Sequence, residues 1–312
     1  MSDTRDMSDL SKNVTSEWIK ATAAFGHTPL RVPVQMYVEG NDDVMFWKEA
    51  VKPYQTKYDI KVVTNKAVNL DEGNGKSMLL SMEGLCKEKV VAVDADFDLI
   101  VDKYSTYTDM VRNSPFVVNT TWHSVENILL QKTDYIPLLE LFSLASWELY
   151  TYYLATVVAK EELRPIKHYG EMISHFGVQK CANQNNYTEF ETAYRAELNN
   201  AIESHKGASA QIKKKLVLLG YDQCNIWKVT RGHYLWDMIV KPQIVNNINN
   251  KISQGIQEQR KAGKKVNKVQ IMKDMGITQS VKEYVDNNFY YGEMTDVPIP
   301  KETRSKLNDM FA

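Results

Sequence analysis

From Val32 to Gln131, short apolar runs with the two-residue period of strands alternate with stretches whose apolar residues recur every three or four positions. Val32–Val38 (VPVQMYV) predicts a first strand, with Pro33 near its start, where a missing N–H is tolerated. Glu39-Gly40-Asn41-Asp42-Asp43 follows, and Val44–Val51 has helical spacing; Asp42 and Asp43 sit at the end of the helix dipole that favours negative charge. Asp59–Val63 predicts a second strand, Asn65–Asn74 a polar loop, and a helix runs from about Lys76 to Cys86. Lys89–Val93, apolar almost throughout, predicts a third strand buried on both faces and stops at Asp94. Phe116–Asn119 predicts a short fourth strand, and Ser124–Gln131 opens another helix.

Strands alternating with helices predict an α/β fold with a mostly parallel sheet flanked by helices. Beyond about Asp134 the pattern turns helical, with helices expected over Leu138–Glu162, Leu198–Gly220 and Tyr234–Ile256. Gln259–Lys268 (QRKAGKKVNK) is basic and interrupted by glycine, as an exposed loop would be. After Asp296, Pro298 and Pro300 predict an extended stretch before a last short helix. The expected organisation is residues 1–30 as a tail with a short helix around Ser16–Ala24, 31–135 as the α/β domain, and 136–312 as a mainly helical domain.

The composition narrows the class without naming it. The 312 residues are 43% hydrophobic and 25% charged, enough to bury a core without disulfides. Lys+Arg 38 against Asp+Glu 39 gives a formal charge of -1, which excludes a polycation that coats nucleic acid indiscriminately. Cys86, Cys181 and Cys224 form no CxxC pair and no zinc spacing, so reduced thiols are expected. The polar first residues lack the apolar core of a secretory signal, and no stretch approaches a membrane span, so a cytoplasmic protein with no membrane partner is expected.

In an open parallel sheet, ligands gather at the carboxyl ends of the strands. Acidic residues fall at or just after three of those ends: Glu39, the run Asp94-Ala95-Asp96-Phe97-Asp98, and Glu126. An Asp-x-Asp pair can converge once a strand turns into a loop, and hard carboxylate oxygens are what Mg²⁺ or Mn²⁺ selects. Without a cation, such a group would repel itself and raise its own pKa values. Asp43, one turn into the first helix, is placed to point at the same site, and Lys76, at a loop-to-helix junction, is a candidate for stabilising developing negative charge.

The segments VEGNDDVMFW, VVAVDADFD and WHSVENILL, with RGHYLWDMI as a weaker fourth block, resemble a Toprim domain of the OLD-like nuclease superfamily. That pattern has Glu after the first strand (Glu39), Gly after the second (Gly73 or Gly75), Asp-x-Asp after the third (Asp94, Asp96) and Ser-x-Glu after the fourth (Ser124, Glu126). Within the superfamily the chain is most similar to the AriB family of PARIS anti-phage effectors, encoded beside ABC-type ATPases. The resemblance implies a Mg²⁺-dependent endonuclease (Mn²⁺ as a substitute). Glu39, Asp94, Asp96 and Glu126 would be metal ligands and catalytic residues, Asp98 an additional ligand, and Lys76 a catalytic lysine. It also implies a toxic antiviral effector held by an ABC-type ATPase sensor, with tRNA the favoured substrate and DNA the alternative. Paired subunits, each with one site, would suit such strand breakage. Two other readings stand beside it: a non-catalytic Toprim subunit bound to an ATPase, and a primase-like Toprim enzyme.

Gly73-Asn74-Gly75-Lys76-Ser77 imitates a phosphate-binding P-loop, but Leu70 stands where its first glycine is needed, so ATP binding here is rejected. His123 is open to a phosphate-contacting or a structural role, and Arg231-Gly232-His233 to a turn or a substrate contact. Lys213–Lys215 and Arg260/Lys261/Lys264/Lys265 suit either phosphate contacts or solvated faces. Trp147, Tyr150, Tyr152 and Tyr153 cover nearly every face of one helix and are expected in a core or interface.

Overall fold

A computed structural model describes residues 15–24, 31–64, 75–159, 205–292 and 297–312. The expected loop Asn65–Asn74 with Gly73, the start of the helix predicted from Leu198, the residues after Ala159 in the helix predicted to Glu162, and Cys181 lie outside the described residues. The chain divides into two compact units, Met1–Lys132 with Met294–Ala312, and Thr133–Glu293.

The first unit is built on β1 (Val32–Val38), β2 (Tyr58–Thr64), β3 (Lys89–Val93) and β4 (Val117–Asn119). They form one four-stranded sheet in the order β2-β1-β3-β4, every pairing parallel. Its helices are α1 (Ser16–Ala24), α2 (Asn41–Val51), α3 (Lys76–Leu80), α4 (Thr108–Asn113) and α5 (Val125–Leu130). The pleat sends Tyr37, Val91, Val93 and Val117 to a face packed with Leu79, Leu80, Met82 and Val111. The alternate residues Met36, Val38, Val90, Ala92 and Val118 are buried as well, so the central strands are covered on both sides. Even Lys89 is buried, its ammonium donating to the Glu83 carbonyl at 2.8 Å.

Two local expectations change. The helix expected over Lys76–Cys86 stops at Leu80. Beyond it Gly84 takes φ +70, a left-handed turn that a continuing helix would not hold, and Cys86 instead bridges Lys89 in antiparallel fashion. The last helix, α11 (Lys301–Phe311), expected with the helical domain, packs on β4 in the first unit. Apolar residues at i, i+3 and i+4 give α11 one buried stripe, Leu307, Met310 and Phe311. The Phe311 ring meets Tyr54 and Tyr58 at centroid distances of 5.6 and 5.4 Å. On the same helix, buried Thr303 donates to the Asn119 carbonyl at 2.9 Å and lies 2.8 Å from the Thr121 hydroxyl.

The second unit is helical. α6 (Ile136–Ala159) buries Leu139, Phe142, Leu149, Tyr150 and Tyr153, so Tyr150 and Tyr153 of the expected aromatic patch are core, while Trp147 and Tyr152 are half-buried. The Tyr150 hydroxyl donates to the Val229 carbonyl, and Ser143 Oγ accepts from Trp227 N at 3.1 Å. Helix α7 covers 205–218. A helical rod then runs through Gly232–Tyr234, a π-helical stretch Leu235–Val240, and α8 (Lys241–Lys261). α9 (Lys268–Asp274) and α10 (Val281–Tyr291) follow. Within RGHYLWDMI, Trp236 stacks on Phe289 with ring centroids 3.6 Å apart and donates to Asp286 at 3.1 Å. That block therefore builds the second core. Among the described residues, no helix is long and apolar enough to cross a membrane.

Thr303→Val keeps the volume on α11 but removes the hydroxyl shared by Asn119 and Thr121. The expected loss is about 1–3 kcal/mol in urea-induced unfolding, the cost of leaving buried partners unsatisfied. A change below about 0.5 kcal/mol would show that α11 does not hold the loop after β4.

Candidate functional site

The carboxyl ends of β1, β3 and β4 bring the predicted acidic residues together. Glu39 directly follows β1, Asp94 directly follows β3, and Glu126 lies in the first turn of α5 after β4. Backbone N–H groups aim at them. Asp94 N–H donates to Glu39 Oε1 at 2.9 Å, and Val125 N–H donates to Asp94 Oδ1 at 3.1 Å. Each bond joins one strand exit to the next. Glu126 is buried and accepts from the Ser124 hydroxyl at 2.6 Å, while that hydroxyl also reaches Asn127 Oδ1 at 2.8 Å.

The loops are stitched together by backbone bonds. Ala95 N–H donates to Thr120 Oγ1 at 2.9 Å, and Asp96 N–H to the His123 carbonyl at 2.8 Å. Asp96 has φ +46 and Thr121 has φ +61, so both loops carry residues in left-handed conformation. For β-branched Thr121 this is a strained geometry of order 1–3 kcal/mol, opposed by Asn119 Oδ1 accepting from its N–H at 2.9 Å and by the Thr303 contact.

Asp43 joins the group. Its Oδ2 accepts from Gly40 N–H at 2.9 Å, which turns the carboxylate of α2 back toward the end of β1. Burial, then repulsion from Glu126 and Glu39, pushes Asp43 up to about 7. Burial is also the largest influence on Glu39, which rises to about 6 against the opposing hydrogen bond from Asp94 N–H. Asp94 is raised well above the ordinary carboxylate range by burial and by repulsion from Asp43, Glu39, Glu126 and Asp96. The core of the site is thus Glu39, Asp43, Asp94 and Glu126, with Asp96 at its margin. Asp43, one turn into the first helix, thus stands with the group at which its position was expected to aim it.

Asp98 does not join them. It is fully buried and accepts from Ser105 Oγ at 2.9 Å and Thr108 Oγ1 at 2.6 Å. Its second oxygen lies 2.7 Å from the Lys76 ammonium, while Arg112 Nε donates to its backbone carbonyl at 2.6 Å. Asp98 therefore anchors the loop after β3 and holds Lys76, a different role from the extra ligand expected.

Lys76 sits where the sequence places it, and its contacts explain why. Gly75, at φ +122, supplies a conformation that a side chain rarely adopts and starts α3. The ammonium then donates to the Asp94 carbonyl at 2.7 Å and to Asp96 Oδ2 at 3.0 Å. Burial pulls its pKa down, but Asp96 and Asp98 outweigh that and raise it, so Lys76 is charged. His123 is buried with its ring edge-on to Phe97 at 4.9 Å and its Nδ1 3.9 Å from Asp96. Those contacts give it a packing role.

Among the described residues, no group of three or more His, Cys, Asp or Glu side chains is arranged ready to hold a metal ion. The carboxylates share one electrostatic field without converging on a single point. Their chemistry nevertheless fits a hard divalent cation: oxygen donors only, partly buried, mutually repelling, with raised proton affinity that a cation would relieve. No protein-family model matches the chain, and no curated protein matches it.

Raised carboxylate pKa values make stability depend on pH in a definite direction. Between the unfolded values near about 4 and the folded values, the folded chain binds more protons, so stability falls as pH rises. The fall extends through about 6 for Glu39 and about 7 for Asp43. In EDTA, the thermal midpoint is expected to drop across this window and to drop less in Asp43→Asn, which keeps an acceptor for Gly40 N–H. At a pH above the window, Mg²⁺ or Mn²⁺ is expected to raise the midpoint by mass action. A midpoint that climbs with pH in EDTA contradicts the assignment of a self-repelling cluster.

Proposed function

We propose that this protein is a metal-dependent nuclease of Toprim type that hydrolyses phosphodiester bonds. The observation that carries the reading is the ordered set Glu39, Asp94 and Glu126 at the ends of three parallel strands, sharing one repulsive field with Asp43. An inert surface has no use for such a group, because clustering buried carboxylates costs stability.

Glu39, Asp94, Asp96 and Glu126 would hold Mg²⁺, or Mn²⁺ in its place. A bound divalent ion supplies charge neutralisation at the phosphate and acidifies water. The chain's own groups do the rest. Lys76, kept protonated by Asp96 and Asp98, presents positive charge for the oxygens of a phosphodiester. Asp43, turned back toward the end of β1 by Gly40 N–H, stands beside those carboxylates to accept a proton from the attacking water. Water oxygen then bonds to phosphorus, the bond to the leaving sugar oxygen breaks, and that oxygen takes up a proton. The rigid N–H contacts from Asp94 and Val125 keep the carboxylates in register.

On the resemblance of VEGNDDVMFW, VVAVDADFD and WHSVENILL, the biological reading is a toxic cytoplasmic effector of anti-phage defence, silent under an ABC-type ATPase partner. tRNA is the favoured substrate and DNA the alternative. A second reading, a non-catalytic Toprim subunit of the same ATPase, is favoured by one observation: Lys76 already pairs with Asp96 and Asp98, with no ready-made metal cluster among the described residues.

Purified protein, alone and with its ATPase partner, is expected to cleave tRNA in Mg²⁺ or Mn²⁺ and to stop in EDTA. Glu39→Ala and Asp94→Ala should each lower the rate by at least about a hundredfold, and Lys76→Met by a comparable factor, on the scale of losing a transition-state electrostatic contact. Intact RNA and DNA under all these conditions, together with no cation effect on the thermal midpoint, would leave the non-catalytic reading standing.

A further inference from the structure

The second unit carries a concentration of positive charge that the candidate site does not use. Arg260, Lys261, Lys264, Lys265 and Lys268 fall within nine residues at the turn between α8 and α9, and all five are exposed. The stretch 259–273 contains no carboxylate and no aromatic ring, in a chain whose overall formal charge is -1. Among the described residues, none of the five forms an ion pair.

The turn is held in shape. Lys264 N–H donates to the Gln259 carbonyl and Asn267 N–H to Gln259 Oε1, both at 2.9 Å. Asn267 Oδ1 accepts from Gln270 N–H at 3.0 Å and caps α9, while Gly263 takes the left-handed turn at φ +64. Gly255 lets α9 approach α8 closely; a Cβ there would stand 3.2 Å from Ile271 Cγ2. The cations therefore project from a braced hairpin, which lowers the ordering cost of binding a polyanion.

We propose that this hairpin is a docking surface for the phosphate backbone of an RNA stem. Single strands are usually bound through base stacking on exposed aromatic rings, and none is present here. A cluster of bare cations instead suits recognition of a duplex by shape and charge. The choice of RNA over DNA rests on the proposed nuclease reading, in which folded RNA is the favoured substrate.

The test measures binding apart from cleavage. Full-length protein carrying Asp94→Asn, in EDTA, is titrated against a fluorescent RNA hairpin with a stem of about 16 base pairs, a length that RNA-duplex modules span. Lys264→Glu with Lys265→Glu, on an exposed turn, should weaken binding at least about tenfold and lower the salt-dependence slope by about two. Equal losses from Lys48→Glu with Lys301→Glu, exposed cations of the other unit, would overturn the proposal, as would affinity unchanged within about twofold. Tighter binding to an unpaired strand, or to a DNA duplex of equal length, also overturns it. Hairpin-dependent RNA binding by wild-type protein that never cleaves in Mg²⁺ supports the docking surface while removing the nuclease reading.

Discussion

Repulsion among crowded, largely desolvated carboxylates is the constraint on which the first unit depends. Glu39, Asp43, Asp94 and Glu126 crowd the ends of a parallel sheet, and burial raises their cost further. A flexible scaffold would let them swing apart into water. Here β1, β3 and β4 are paired in register, and the N–H groups of Asp94 and Val125 each donate to a carboxylate from a neighbouring strand exit. The hydrogen bonds of the site thus double as cross-links between loops. Deleting one carboxylate should relax the site electrostatically while loosening its geometry, two effects of opposite sign on stability.

The latch on this arrangement comes from the far end of the sequence. Thr303 on α11 satisfies the Asn119 carbonyl and contacts Thr121, the residue whose left-handed backbone carries the chain from β4 toward His123 and Glu126. Tyr54 reinforces the packing by donating to Asn308 at 2.6 Å. Strain at Thr121 and a buried acid at Glu126 lie within five residues of each other. A helix separated from them by well over a hundred residues in sequence stabilises the loop they share.

Sequence alone carried the sheet and much of the acidic set, for physical reasons. β3 is five consecutive buried positions, so its apolar run is unambiguous, and the acid that ends it marks where the strand leaves the core. Glu39 was legible for the same reason, because the strand pattern stops just before it, and Glu126 from Ser124-Val125-Glu126 at a helix start. What failed to show was the destination of side chains after the strands end. Asp98 shares the spacing of Asp94 and Asp96, yet turns inward to Ser105 and Thr108, because the left-handed turn at Asp96 redirects the chain. Asp43 was legible from its place one turn into the helix, but the bond from Gly40 N–H that turns it was not. α11 has an ordinary amphipathic pattern that names its buried stripe but not the sheet it covers.

Lys76 shapes what the site can do. Its ammonium pairs with Asp96 and Asp98 and donates to the Asp94 carbonyl, so the lysine side of the cluster carries its own cation, whereas the Glu39/Asp43/Asp94/Glu126 side repels itself. Charge is therefore unevenly distributed: one cation is built in beside a group that still repels itself. An incoming divalent ion gains most where repulsion is greatest, on the Asp43–Glu126 side, and gains little where Lys76 already stands. A phosphodiester needs positive charge from both directions. On the nuclease reading, then, the lysine is a fixed half of the electrostatic apparatus, and the self-repelling acids are the half that only a cation completes.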